Sequence, residues 1–402
     1  MLDLKKFFAT EADFEHLVES LKQRQIDRNH LLFIRQKWEA TRKLKKDIEQ
    51  LCQKRNQLEG PQNAEKVREV KVEITNRENN FNNLSQELND LIEKLPNLPA
   101  PDTPSTNRII AEAKYPPNFQ SPLTHEKVLL KLGLIDEEKS ILLSGSKFVV
   151  YQGWGSQLLH ALINFMRSEN NRRGYRLFDT PYLVKEVNLY HTGQLPKFQD
   201  EVYKLTQSQF YLISTAEISL VNLYQGKILL ETELPLNLCA YSPCFRKEAG
   251  AGGQENKGLI RLHQFHKVEL VKIVRPENSY LELEKLVEDA CHLLHLLKIS
   301  HRIVELGKQE LGFSATKTYD IEVWLPVSQK WLEISSCSNC EDFQSRRAQI
   351  RVKKKDGTKY LPHTLNGSAL AIDRLILTLC EYYYNQAENR LEIPEILKKY
   401  FF

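Results

Sequence analysis

No run of apolar residues in this 402-residue chain approaches the ~18 to 20 positions needed to cross a bilayer, so no membrane-spanning helix is predicted. The first nineteen residues carry acids at Asp3, Glu11, Asp13, Glu15 and Glu19 and lack an uncharged apolar stretch, which excludes a secretory signal. Cysteine is sparse and odd in number. Seven thiols scattered over this length fit a reducing compartment better than a disulfide framework, and a cytoplasmic address is expected. No glycine-rich strand-to-helix turn of the dinucleotide or P-loop kind occurs, which argues against a doubly wound parallel sheet. The net charge of +4 is too small to announce nucleic-acid binding unless positive charge is concentrated somewhere.

Proline and glycine are also missing from Ile26 to Leu95, except at the adjacent Gly60 and Pro61. Val67, Val70, Ile74, Arg77, Phe81, Leu84, Leu88, Leu91 and Leu95 recur in steps of three and four with one polar interruption, the seam of a coiled coil. The first half is rougher: Leu31, Ile34 and Trp38, a slip of register, then Leu44, Ile48, Leu51 and Leu58. Two helices joined at Gly60-Pro61 would fold back antiparallel, and at roughly 45 to 50 Å each they should project as an arm. Between Arg35 and Lys71 basic residues stand at 35, 37, 42, 43, 45, 46, 54, 55, 66, 68 and 71, against acids at 39, 47, 49, 59, 65 and 69. Such a rod is either a solvated face or a surface for a phosphate backbone, and composition alone does not choose between them.

Four of the chain's 16 prolines fall between Leu95 and Pro104, a stiff hinge that predicts two domains, 1–104 and 105–402. Beyond it, Leu158, Leu159, Leu162, Ile163 and Met166 form one helical stripe, and Leu283, Leu286, Val287, Ala290, Leu294 and Leu297 another. Strands are expected at Phe148 to Tyr151, Phe210 to Ile213, Val268 to Val274 and Thr318 to Leu325. The predicted class is α+β, an antiparallel sheet flanked by helices after a coiled-coil arm.

Candidate chemistry lies on those strands. Asp320 and Glu322 alternate with Tyr319, Ile321, Val323 and Leu325, and Glu333 alternates with Leu332 and Ile334. Such an acidic face is often just solvated, but several strands of this kind could floor a metal and phosphate site, with Glu333 and Ser336 as magnesium ligands. Arg246 and Glu248, two apart, belong on one face of a strand; the glycine-rich stretch Ala249 to Gly258 forms a hairpin loop that returns Phe265 near Arg246. An arginine can bridge a phosphate while the aromatic face stacks a base, although a surface hairpin with a salt bridge would look the same. The pairs Cys337 and Cys340, and His292 and His295, have metal-like spacing, but nothing joins them into a four-ligand set.

These segments together resemble the bacterial-type seryl-tRNA synthetases, class II aminoacyl-tRNA synthetases. The resemblance runs from Met1-Leu2-Asp3 to the C-terminal end. It is carried by Thr192 to Phe198, Thr215-Ala216-Glu217, Phe245 to Gly250, Glu333 to Asn339 and His363 to Ser368. It implies a six- or seven-stranded antiparallel catalytic sheet, a homodimer with Pro181 in its interface, and serine activation by ATP followed by transfer to tRNA(Ser), and to tRNA(Sec) where present. Arg246, Lys247, Glu248, Phe265, Glu333, Ile334, Ser335, Ser336 and Arg374 would take ATP, with Mg2+ on Glu333 and Ser336. Arg246, Glu333 and Arg374 would be catalytic: Arg246 bridging the α-phosphate and the serine carboxylate, Arg374 holding the γ-phosphate. Glu248 would contact the adenine and Phe265 would stack beneath it. Serine would meet Thr215, Ala216, Glu217, Arg246, Glu269, Asn366 and Ser368. The resemblance also gives the basic hairpin a role, binding the long variable arm of the tRNA by shape.

Four features depart from the family pattern: Ser214 before the Thr-Ala-Glu triplet, the run Gln254 to Lys257, Ala369, and Asp373 beside Arg374. None removes an expected ligand. A non-catalytic paralogue would be expected to have lost Arg246, Glu269, Glu333 or Arg374, and a ligase charging a carrier protein would lack the hairpin; all five features are present.

Overall fold

The periodic segments of the first hundred residues become helices in the computed structural model, which describes residues 2–58, 61–119, 122–248 and 258–401. The chain divides into two units, Met1–Leu98 and Pro99–Phe402, the cut falling inside the proline-rich segment. In the first unit α1 (Leu4–Phe7) and α2 (Glu11–Lys22) precede two long helices, α3 (Arg28–Gln57) and α4 (Ala64–Ile92). Thr10 caps α2, its Oγ1 accepting from the Asp13 N–H at 3.1 Å. Phe14, Leu17 and Leu21 of α2 pack with Leu31, Ile34, Leu88 and Ile92 into a core at the base of the hairpin.

The ion pairs Lys37–Glu87 (2.5 Å) and Asp47–Arg77 (3.4 Å) advance along α3 as they retreat along α4, which makes the pair antiparallel. Every named seam residue of α4 is buried or half-buried, including Arg77, the polar interruption, which meets Asp47 across the seam. Arg42, Lys45, Lys46, Lys54, Lys66, Arg68 and Lys71 cannot all be read off one heptad position, yet each occupies the exposed side. Glu59 and Gly60, at the turn expected for Gly60-Pro61, lie outside the described residues.

In the second unit the last part of the proline-rich segment is stitched down: the Ala100 N–H and the Thr103 hydroxyl both donate to Thr316 O, at 2.9 and 3.2 Å. Its centre is an eight-stranded sheet: β1 (Arg108–Ala113), β2 (Arg176–Phe178), β3 (Leu236–Phe245), β4 (Gln264–Val274), β5 (His301–Glu305), β6 (Lys317–Leu325), β7 (Lys330–Asn339) and β8 (His363–Ala371). The strand order is β1-β5-β6-β7-β8-β4-β3-β2, antiparallel throughout except for the β2–β3 pair. The sheet is thus one or two strands wider than the six or seven expected, and its edge pair is parallel. Three-residue β2 is too short to read as a strand by alternation.

Both expected apolar stripes line the main core under the sheet, one on α5 (Trp154–Arg172) and the other on a helix at Ser279–Leu296. Tyr319, Ile321, Val323 and Leu325 turn into that core, so β6 keeps its carboxylates on the other face. One strand expectation needs correction. Phe148 to Tyr151 forms no strand; it is extended and pairs only at Tyr151 with Ile135, because the Ser140 hydroxyl and the Asp136 N–H take the hydrogen bonds of Val150.

Candidate active site

The carboxylate face of the sheet holds a cavity of about 520 Å3 whose walls come from six separate parts of the chain. Arg246 and Glu248 lie just past the end of β3 and not within a strand; the Arg246 N–H still donates to His263 O (2.9 Å), but Glu248 sits at φ +50°. The expected arrangement survives in its useful part. Cys244 opposes Phe265 in the ladder, and the Arg246 guanidinium lies 5.1 Å from the centre of the Phe265 ring. Ala249 to Lys257, with the departures at Gln254 to Lys257, lie outside the described residues.

Glu333 and Ser336 are three apart, which simple alternation would put on opposite faces. An irregularity in the β6–β7 register between Glu333 and Ser335 resets the alternation, and both residues line the cavity. Arg374, on α6 (Ile372–Tyr383), reaches back to the same strand: its Nη1 donates to Glu333 O (2.7 Å) and lies 3.7 Å from Glu333 Oε2, while its Nε donates to Ile260 O (3.2 Å). Asp320 stands opposite Ser336 in the ladder. Burial first, then the neighbouring Glu333 charge, pushes its carboxyl up to about 7, and its Oδ1 is buried without a hydrogen-bond partner among the described residues. Oxygen donors of this kind suit Mg2+, which takes one or two carboxylates and completes its shell with phosphate and water.

The rest of the lining is a buried ionic cluster. Thr215 caps the helix Ala216–Asn222, its Oγ1 accepting from the Glu217 N–H at 3.3 Å. Burial, reinforced by the Glu269 charge, raises the Glu217 carboxyl to about 7; the Gln344 amide donating to Glu217 Oε1 (2.6 Å) works in the opposite direction. Lys267 Nζ lies 2.5 Å from Glu269 Oε2 and donates to Thr215 Oγ1 at 2.9 Å. The Ser368 hydroxyl adds a long contact to the same Glu269 oxygen, 3.4 Å.

The structure gathers Arg246, Glu248, Phe265, Glu333, Ile334, Ser335, Ser336 and Arg374, together with Thr215, Glu217, Glu269, Asn366 and Ser368, around one cavity. Two expected residues are not in its lining. Lys247 alternates away from Arg246, its ammonium 5.8 Å from the Tyr203 ring centre, and Ala216 is fully buried in the core behind the helix. Glu248, expected at a base, is engaged by the guanidinium of Arg261.

Sequence reasoning missed Lys267, Arg261, Gln194 and Gln344. Lys267 was findable, since it stands two residues before Glu269 on a strand and shares its face. Gln344 was not. It joins the Glu217 carboxylate to Thr192 O and Thr364, residues brought together only by folding. The Thr192 to Phe198 segment turns at Gly193, which ends the preceding helix at φ +93°, and so delivers Gln194 and Phe198 to the cavity. Of the departures, Ser214 lines the cavity and Ala369 is fully buried. Asp373 is a buried anchor, accepting from the Tyr151 hydroxyl (2.7 Å) and the His266 N–H (2.6 Å).

Residues 200–383 match the class II core domain of tRNA synthetases (G, H, P, S and T). The chain is 49% identical to the serine–tRNA ligase of Sulfurihydrogenibium sp. over 79% of this chain and 78% of that one. It is 39% identical to the serine–tRNA ligase of Campylobacter jejuni subsp. doylei over the whole of both. Its structure superimposes on the seryl-tRNA synthetase of Pyrococcus horikoshii, solved in complex with ATP, with a TM-score of 0.91, 30% identity, and coverage of 100% of this chain and 98% of that one.

Proposed function

Because the chain belongs to the seryl-tRNA synthetases and is a serine–tRNA ligase, we propose that it joins L-serine to ATP as seryl-adenylate and then passes the seryl group to the 3′ end of tRNA(Ser), and of tRNA(Sec) where the cell has one. The observation that carries the mechanism is the meeting in one cavity of two arginines, an aromatic face and a buried acidic pair, contributed by segments spread along the chain from Glu217 to Arg374.

An oxygen of the serine carboxylate bonds to the α-phosphorus as the bond to the β-phosphate oxygen breaks in line, and pyrophosphate leaves with that electron pair. Arg246 holds the serine carboxylate and the α-phosphate together, and Arg374, braced on β7 before charge develops, receives the γ-phosphate. Phe265 stacks beneath the adenine and Arg374 lies above it. Glu333 and Ser336, with Asp320 adjacent, would hold a Mg2+ ion, which would offset phosphate charge. The terminal ribose hydroxyl of the tRNA then takes the acyl group and AMP leaves.

Glu217 and Glu269 receive the ammonium and hydroxyl protons of serine, so alanine would leave buried acceptors unpaired and be rejected by a factor on the order of 10⁴. The exposed lysines and arginines of α3 and α4 would carry the RNA, in a homodimer formed through the Pro181 segment, in the cytoplasm.

The test is exchange of pyrophosphate into ATP with serine, threonine and alanine compared. Serine-dependent exchange is expected, reduced roughly 10²- to 10³-fold by Arg246→Ala. Absence of exchange with any amino acid by the folded protein would overturn the reading.

A further inference from the structure

Strand β4 carries two buried lysines with opposite surroundings. Lys272 lies on the helix-covered side and pairs with Glu282 (2.9 Å) and, at 3.9 Å, Asp289. Lys267, an odd number of residues earlier, points to the other face and lines the cavity, with only 9% of its side chain exposed. A buried ion pair is a poor way to stabilise a sheet, since desolvating both charges commonly offsets their attraction. An ammonium kept at that depth, on the wall of a cavity, points to a task in the cavity.

The contacts define that task. The Lys267 ammonium occupies Oε2 of Glu269, and together with the Glu217 N–H it fills both acceptor positions of the Thr215 hydroxyl oxygen. What remains for a ligand is the other oxygen of Glu269, the O–H of Thr215 and the Glu217 oxygen that Gln344 does not engage. We propose that Lys267 is a positioning residue for serine: it pins Glu269 and Thr215 in the orientation that receives the amino acid and supplies the counter-charge that lets two neighbouring carboxylates face one ammonium. This deepens the serine-activation reading and rests on it.

Without that charge Glu217 would hold its proton more tightly. Lys267 and Arg246 both draw the Glu217 carboxyl down, against burial and Glu269. The other titratable groups around the pair are the thiols Cys239, Cys244, Cys337 and Cys340, which burial raises, so they stay uncharged near neutrality.

The experiment is serine-dependent pyrophosphate exchange by the full-length protein across pH 6 to 9, for wild type, Lys267→Met and Lys267→Arg. In Lys267→Met the KM for serine is expected to rise roughly 10- to 100-fold, as for loss of a hydrogen-bonded charge, while the KM for ATP stays within about twofold. The pH profile of serine KM moves to higher pH, because a protonated Glu217 must ionise before it accepts an ammonium, and Lys267→Arg recovers part of both effects. A serine KM within about twofold of wild type, or serine and ATP KM rising together on an unshifted pH profile, overturns the proposal. If Lys267→Met does not fold, Lys267→Gln, which keeps a donor toward Thr215 but no charge, is read by the same criteria. Exchange by wild type with an unaffected Lys267 variant removes this inference alone; no exchange by wild type removes the serine-activation reading with it.

Discussion

The hairpin and the catalytic cavity use charge in opposite ways. On α3 and α4 the lysines and arginines are mostly exposed, and the helices are held by a thin apolar seam with the ionic rungs Lys37–Glu87 and Asp47–Arg77. In the cavity Lys267, Glu217 and Glu269 are buried, and each is defined by its neighbours. Exposed charges on a rod act nearly independently and through a screened field, so they suit a long polyanion whose exact sequence does not matter. Buried charges are coupled, so they discriminate small ligands and respond sharply to a single change.

The largest expected effect separates the two regions outright. The Lys37–Glu87 and Asp47–Arg77 pairs give the helix register, so the hairpin can be shortened in register by replacing Lys43 to Phe81 with a short turn. Charging of tRNA(Ser) should fall by at least about 10²-fold, as expected for loss of many phosphate contacts, with serine-dependent exchange unchanged. Loss of exchange as well would mean that the arm does more than hold RNA.

A smaller effect probes the coupling in the cavity. Because the Glu217 carboxyl is raised from its ordinary 4.5 to about 7, the native protein binds more protons than the unfolded chain between those values. Stability of the serine-free protein should therefore fall as pH rises from about 4.5 to 7 and then level off. Glu217→Gln removes this contribution, worth on the order of 3 kcal/mol for a shift of this size, and Asp320 retains its own. Thermal melts of both proteins at pH 5 and pH 8 check it; parallel curves would show that Glu217 is ionised in the empty pocket.

The smallest effect belongs to the rod. Lys43 is exposed and has no ion-pair partner among the described residues. Lys43→Ala should weaken tRNA binding only a few-fold and lower the slope of log K against log salt by about 1, measured by filter binding at several salt concentrations. A much larger loss would mark Lys43 as a specific contact.

Legibility followed the same division. The seam from Val67 to Leu95 was readable because helical periodicity is a local property, and the alternation of Tyr319 to Leu325 was readable for the same reason. The site residues could be named through the family motifs, but their arrangement could not. Glu333 and Ser336 share a face because of an irregularity in the β7 register, and Arg246 and Glu248 sit beyond a strand end, with Glu248 in the left-handed region. Phe148 to Tyr151 failed as a strand because side chains and loops took its hydrogen bonds, a competition that periodicity does not see.

Local pattern thus decided the helices, the apolar faces of the strands and the concentration of positive charge on the hairpin, since each depends on neighbours a few residues away. Folding decided which face of β4 each lysine serves, which amide meets Glu217, and why a carboxyl at Glu217 or Asp320 titrates near neutrality. Those properties arise from removing charges from water beside other charges, and that juxtaposition exists only when separate segments, such as those of Glu217 and Glu269 or Asp320 and Arg374, close on one cavity.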